Sequence, residues 1–218
     1  MMNASVNYNR KTKQFKRQTQ LGGIEQFSTQ ALFDLPENSL SFRGSFRKKI
    51  KKVRTKISGN HRISDFYQVL NNNTQQNKSV RTSATLGLET LFKKAPNLEV
   101  EYTKDINTYT SGDHVNRFNT DNIAAYLEYV FLEDFVLKGE YLYTSYNNEQ
   151  NNTKNTFDNA GLSLFYHKED SPWGFELKAN NLFDTRFKQD NSFSSFLISD
   201  TKTFVLPRIV MFTISYKL

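Results

Sequence analysis

Apolar and polar residues alternate one by one along most of this chain. From Phe135 to Tyr146 the sequence runs FVLKGEYLYTSY. Phe135, Leu137, Tyr141 and Tyr143 fall on one side, and Lys138, Glu140 and Thr144 on the other. A period of two describes a β-strand with a single apolar face. Further on, Ala160, Leu162, Leu164 and Tyr166 alternate with Gly161, Ser163 and Phe165. Trp173, Phe175, Leu177 and Ala179 oppose Glu176 and Lys178. The closing segment sets Arg208, Val210, Phe212, Ile214, Tyr216 and Leu218 against Met211, Thr213, Ser215 and Lys217. Upstream, Leu40, Phe42 and Phe46 oppose Arg43 and Arg47. Ala84, Leu86, Leu88 and Phe92 oppose Arg81, Thr85 and Glu89. Leu98, Val100 and Tyr102 oppose Glu99 and Glu101. Ile123 to Phe131 repeats the pattern, with Tyr126 and Glu128 opposite. Residues 53–67 alternate less cleanly, and the stretch around Ala4, Val6 and Tyr8 is weak. The pattern predicts about ten strands, near or above the 9 to 11 residues a tilted membrane strand needs.

The connections predict two different ends. Read back from the C-terminus, residues 183–205, 147–155, 110–117, 71–78 and 13–36 look like medium to long polar loops. Between them lie short turns near 168–172, 133–134, 93–97 and 51–52. Short turns on one side and long loops on the other mark an outer-membrane barrel. The expected fold is therefore all-β, an antiparallel up-and-down transmembrane β-barrel, with about ten strands present as part of a larger barrel. Residues 1–37 are expected to be a weak first strand and a long loop, and 38–218 the C-terminal barrel strands.

Composition narrows the choice. Only 37% of the 218 residues are hydrophobic, and no run approaches the roughly 20 apolar residues of a helical span. Yet 14% are aromatic, including 19 Phe and 11 Tyr, and disordered chains are poor in aromatics. Half-apolar strands reconcile the two figures. There is no Cys, which excludes disulfides and thiolate metal sites. The N-terminal residues have no apolar core of a signal peptide, so an exported barrel is expected to carry that signal upstream.

The segment WGFELKANNLFDTRF, a polar loop, and the closing LPRIVMFTISYKL resemble the C-terminal end of TonB-dependent receptors of Bacteroidetes-type bacteria. The matching pieces are Asn181, Leu182, Phe183 and Asp184, then Pro207 and Arg208 opening the last strand, then Tyr216, Lys217 and Leu218. The resemblance spans roughly residues 38–218. It implies a barrel segment of an outer-membrane receptor for nutrient uptake, in the bacterial outer membrane. Siderophore-like, vitamin-like or glycan-derived substrates follow from it. It also implies that the TonB system acts only through a plug domain absent from this chain. The barrel assembly machinery would read Phe212, Ile214, Tyr216 and Leu218.

Chemistry beyond this is sparse. The expectation is no enzyme, no cofactor and no metal: His61 and His167 are read near strand ends and His114 in a loop. Paired carboxylates such as Glu99 and Glu101 are expected to face a lumen and meet basic residues of neighbouring strands. The candidate lumen wall is Arg43, Arg81, Glu101, Glu128, Lys138, Glu140, Glu176 and Lys178. The net charge is +7, and the run Arg43, Arg47, Lys48, Lys49, Lys51, Lys52, Arg54 and Lys56 could contact nucleic acid. The strict alternation through Phe42, Gly44 and Phe46 favours a basic hairpin instead, so no nucleic acid is expected. Phe92, Phe131, Phe135 and Trp173 sit beside short turns, as an interfacial aromatic girdle would. Phe183, Phe187, Phe193 and Phe196 enrich the last long loop. Two other readings stay open: a small autonomous outer-membrane barrel, porin-like or structural, and a soluble basic β-protein.

Overall fold

A computed structural model describes residues 1–22, 25–150, 152–193 and 198–217. It contains β1 (Met2–Lys11), β2 (Gln14–Gly22), β3 (Glu25–Phe33), β4 (Glu37–Ile50), β5 (Val53–Leu70), β6 (Asn73–Thr90) and β7 (Asn97–Ser111). They are followed by β8 (His114–Phe131), β9 (Phe135–Asn148), β10 (Thr153–His167), β11 (Trp173–Asn180), β12 (Phe187–Phe193), β13 (Ile198–Phe204) and β14 (Ile209–Tyr216). The described residues form no helix. The main sheet runs β1-β4-β5-β6-β7-β8-β9-β10-β11-β14, each strand antiparallel to its neighbours. It is an up-and-down meander of ten strands, interrupted by the hairpins β2–β3 and β12–β13. A short parallel contact ties β2 to β5, with Gln18 beside Val69 and Thr19 beside Leu70.

Several expectations need correction. Residues 13–36 and 183–205 are not irregular loops, because each carries a paired hairpin. The weak stretch at residues 1–11 is a full ten-residue strand, held by β4 from Met2–Phe46 to Lys11–Glu37. The polar runs at 71–78, 110–117 and 147–155 are mostly strand. Among the described residues, β5 and β6 meet through Asn71 and Asn72 alone, and β7 and β8 through Gly112 and Asp113. Asn71 and Asn72 have φ of 48° and 63°, the left-handed pair that a tight hairpin turn demands and Asn tolerates. Apolar residues no longer recur regularly along one face at these ends, so the alternation signal fades while the strand continues. The last strand starts at Ile209, which leaves Arg208 outside it, and Leu218 lies outside the described residues.

Closure is the remaining difference. Among the described residues β1 pairs only with β4 and β14 only with β11, so the sheet is open where a barrel was expected. A barrel needs its first and last strands bonded, and no ladder joins these two. A single sheet has little to bury. The few buried side chains gather at the β5–β6, β7–β8 and β9–β10 turn end, where Phe66 meets Tyr109 at 6.2 Å and Phe118 meets Tyr146 at 5.8 Å.

Candidate functional site

Antiparallel partners share a face, so the register sorts every side chain into one of two sets. All eight candidate wall residues fall on the same face. Arg43 lies opposite Asn60, Arg81 opposite Arg62, and Glu101 opposite Gly87. Glu128 faces Lys138, Glu140 faces Gly161, Glu176 faces Phe165, and Lys178 faces Ser163. Of these, the structure joins Glu128 to Lys138 at 3.2 Å, and Glu101 to Lys56 at 2.8 Å. Arg54 binds Glu89 on the same face. Glycines make room for these contacts. Gly87 sits between Lys56 and Glu101 in the register, and a Cβ there would lie 3.4 Å from that of Lys56. A Cβ on Gly161 would come within 2.9 Å of Glu140 Oε1. A hollow of about 590 Å³ opens here, bordered by Glu89, Glu99, Glu128, Lys138, Glu140 and Lys178.

The basic run divides between the faces as a hairpin requires. Arg43, Arg47, Lys49, Arg54 and Lys56 share the polar face, Lys48 lies on the other, and Lys51 and Lys52 make the turn. The histidines are spread over three strands. His61 sits in the middle of β5, not near its end, because β5 continues to Leu70. Its Nδ1 is 2.9 Å from Thr82 Oγ1. His114 opens β8 rather than sitting in a loop, and His167 closes β10. No group of three or more His, Cys, Asp or Glu among the described residues could hold a metal ion.

The opposite face is apolar and exposed. Ile57, Leu86 and Leu88 are 51%, 54% and 57% exposed, and Val210 and Phe212 exceed 60%. Apolar surface of this extent is uncommon on proteins that meet only water. Its outline is oblique to the strands. On β4 the band spans Leu40 to Ile50, interrupted by Lys48, and is centred at Ser45. Ser45 maps through Ser58, Thr85 and Thr103 to Asn122 of β8. The band on β8, from Ile123 to Phe131, is centred at Leu127 instead, five residues further along. From β8 to β14 the centre moves about three more residues by the same reckoning. Eight residues at ~3.4 Å over eight strand steps of ~4.8 Å is an angle of roughly 35°. The band is then roughly 22 to 28 Å tall, which matches the tilt and the ~25 Å apolar belt of outer-membrane barrels.

Aromatic rings line the short-turn edge of this band. Tyr129 and Phe131 stack at 5.5 Å, Phe131 and Phe135 at 5.4 Å, and Phe135 meets Tyr166 at 4.8 Å. Phe175 continues the row to Phe212 at 6.2 Å, and Trp173 meets Tyr216 at 4.7 Å. Phe92 lies under Lys52 at the next short turn. Phe212, Ile214 and Tyr216 thus belong to the apolar face of β14. At the other edge, Tyr102 donates its hydroxyl to Asp121 at 2.6 Å, and Lys104 binds the same carboxylate at 2.9 Å.

The Asn-Leu-Phe element forms a corner. Asn181 is buried, with a φ of 51°. Its Nδ2 donates to the carbonyls of Thr185 (2.9 Å) and Leu206 (2.8 Å), and its Oδ1 accepts from Thr185 N at 2.9 Å. Thr185 Oγ1 donates to the Asp158 carbonyl, and Asp184 accepts the Arg208 amide at 3.2 Å. The corner therefore clamps the base of the β12–β13 hairpin to the ends of β11 and β14. Leu182 donates its amide to Ala160, and Phe183 packs edge-on against Tyr141. Pro207 follows the clamped Leu206 carbonyl. Thr185, which completes the clamp, was not singled out from the sequence; its place four residues after Asn181 was the available signal. Phe187 lies under Lys202, while the Phe193 side chain and Phe196 fall outside the described residues.

No protein-family model, curated protein or solved structure matches this chain.

Proposed function

We propose that this chain is a membrane-spanning part of an outer-membrane β-barrel, belonging to a receptor that takes up a nutrient with energy from the TonB system. The observation that carries the membrane reading is the oblique apolar band, whose height and angle suit strands tilted in a bilayer. The receptor reading rests on the likeness of the Asn181-to-Asp184 element and the closing strand to TonB-dependent receptors. On this reading lipid covers the apolar face and the charged face lines the lumen. The assembly machinery reads Phe212, Ile214 and Tyr216, and a plug domain elsewhere in the receptor meets TonB. Catalysis and nucleic-acid binding play no part.

A pair of substitutions tests the membrane reading. Leu88 is exposed at mid-band, and Tyr126 is exposed on the charged face. In lipid, Leu88→Arg should cost about 2–4 kcal/mol of folding free energy, whereas a lumen substitution such as Tyr126→Arg should cost far less. Urea titration in bilayers reads both. Equal costs, or a wild-type chain that is monomeric and soluble without detergent, would overturn the proposal. The ten-strand meander has an even strand number that small barrels also use, which supports the second reading, an autonomous barrel. Steady ion conductance by the chain alone favours that reading, and a plug-encoding frame upstream favours the receptor.

A further inference from the structure

Three neighbouring arginines on the charged face, Arg43, Arg62 and Arg81, make no ion pair among the described residues, although one acid, Asp105, shares the face opposite Ser83. Arg62 and Arg81 stand directly opposite each other on β5 and β6, and both are exposed. Arg43 is registered with Asn60, two residues from Arg62 on the same face. Like charges directly opposite each other across a ladder are destabilising. Elsewhere on this face Arg54 is paired with Glu89, Lys56 with Glu101 and Lys138 with Glu128, while Arg47, Lys49 and Lys178 have no ion pair among the described residues. Among the described residues no ion pair involves Arg43, Arg62 or Arg81.

Their side chains are held by neutral groups instead. Arg43 Nε donates to Asn60 Oδ1 at 3.2 Å, and Arg62 Nε donates to Ser64 Oγ at 3.1 Å. Both bonds use Nε and leave the terminal nitrogens of the guanidinium available. Arg43 also borders a hollow of about 350 Å³ whose other polar walls include Ser5, Ser45, Asn60 and Ser83. No carboxylate lines it. Hydroxyls, amides and a guanidinium with no ion pair make a surface that donates hydrogen bonds to oxygen anions.

We propose that Arg43, Arg62 and Arg81 form a binding site for a small ligand carrying two or more oxyanions, carboxylate or phosphate, with its neutral part in the adjoining hollow. Guanidinium forks match such groups in a bidentate way that ammonium groups cannot. The bound anion would relieve the repulsion between Arg62 and Arg81. The site deepens the uptake reading by naming a ligand class, and rests on it only in placing this face away from lipid.

The test is calorimetry on the full chain refolded in detergent micelles, with pyrophosphate and tricarballylate as separate probes. Binding of either supports the site, and the tighter probe identifies phosphate or carboxylate as its chemistry. Arg81→Gln should weaken binding at least tenfold, and Arg62→Lys, which keeps the charge but loses the fork, at least fivefold. Lys178→Gln removes one charge elsewhere on the same face and should change binding less than twofold. Without ligand, Arg81→Gln should raise the thermal midpoint. No binding of either probe at millimolar concentration by folded protein would overturn the site. So would equal losses in Arg81→Gln and Lys178→Gln, which would mean diffuse charge. The emission of Trp173 and the heat-dependent gel shift report folding separately, so failure of the membrane reading is seen independently.

Discussion

Replacing Asn181 should loosen the corner that anchors the last hairpin. Its side chain makes three hydrogen bonds, two to Thr185 backbone atoms and one to the Leu206 carbonyl. Leu206 is well exposed, so water can replace that bond at little cost. Thr185 is half-buried, and each of its two stranded groups should cost about 1 kcal/mol. Asn181 is also in the left-handed region, which adds about 1 kcal/mol for Ala and nothing for Gly. Asn181→Ala should therefore lose about 3 kcal/mol and Asn181→Gly about 2. Asn181→Asp keeps an acceptor for the Thr185 amide but turns a second oxygen toward the two carbonyls, so it should resemble Ala. The chain has a single tryptophan, Trp173, at the far end of β11, which makes urea unfolding in micelles readable by fluorescence. If all three variants stay within about 0.5 kcal/mol of the wild type, the clamp contributes nothing. If Gly is worse than Ala, the left-handed strain has been misassigned.

Other outcomes follow from the same geometry. The side chains of Lys56 and Glu101 are 39% and 37% exposed, so a double-mutant cycle should give a coupling below about 1 kcal/mol that shrinks with salt. A larger, salt-insensitive value would mean that water is excluded from this face. Asn71→Val in the β5–β6 turn should lose at least about 1 kcal/mol in the same titration, because a β-branched residue resists the left-handed region. In bilayers, hydrogen exchange at the outward amides of β1 and β14 should be as slow as in β7 and β8, because unpaired backbone is not tolerated in hydrocarbon. Fast exchange there would place those edges in water.

The strands whose faces differ most were the most legible. Phe135 to Tyr146 and the stretch from Val210 to Tyr216 alternate between apolar and polar residues, and both occupy the faces expected of them. The sequence failed where a strand leaves the apolar band. Asn73 to Lys78 and Thr153 to Asn155 are polar on both faces, and Val115 to Asn119 carries one apolar residue on each, so alternation is lost although the ladders continue. The hairpins β2–β3 and β12–β13 were missed for the same reason. Side-chain pairing was legible only as charge: Glu101 was expected to meet a base on a neighbouring strand, but Lys56 could not be named without the register. The arginine cluster depends wholly on register, since Arg62 and Arg81 are 19 residues apart in the chain.

The oblique band joins these observations. Periodicity assigns a residue to a face but says nothing about where along its strand the membrane would begin. That comes from comparing register with apolar content, and the comparison moves the band by about eight residues from β4 to β14. The polar ends of β5 to β10 then project beyond the band on the side that also carries the hairpins β2–β3 and β12–β13. Two-sidedness is thus real, but it comes from strand extension as much as from loop length. Lys56 and Glu101 flank Ile57, Leu86, Val100 and Tyr102 in the register, so they sit at mid-band height on the opposite face. On the proposed membrane reading, ionised pairs at that depth are tolerated only beside water or polar protein. A sheet serving solely as an anchor could fill its second face with apolar side chains. This one keeps charges there, several of them half-exposed, as the wall of a hydrated conduit would.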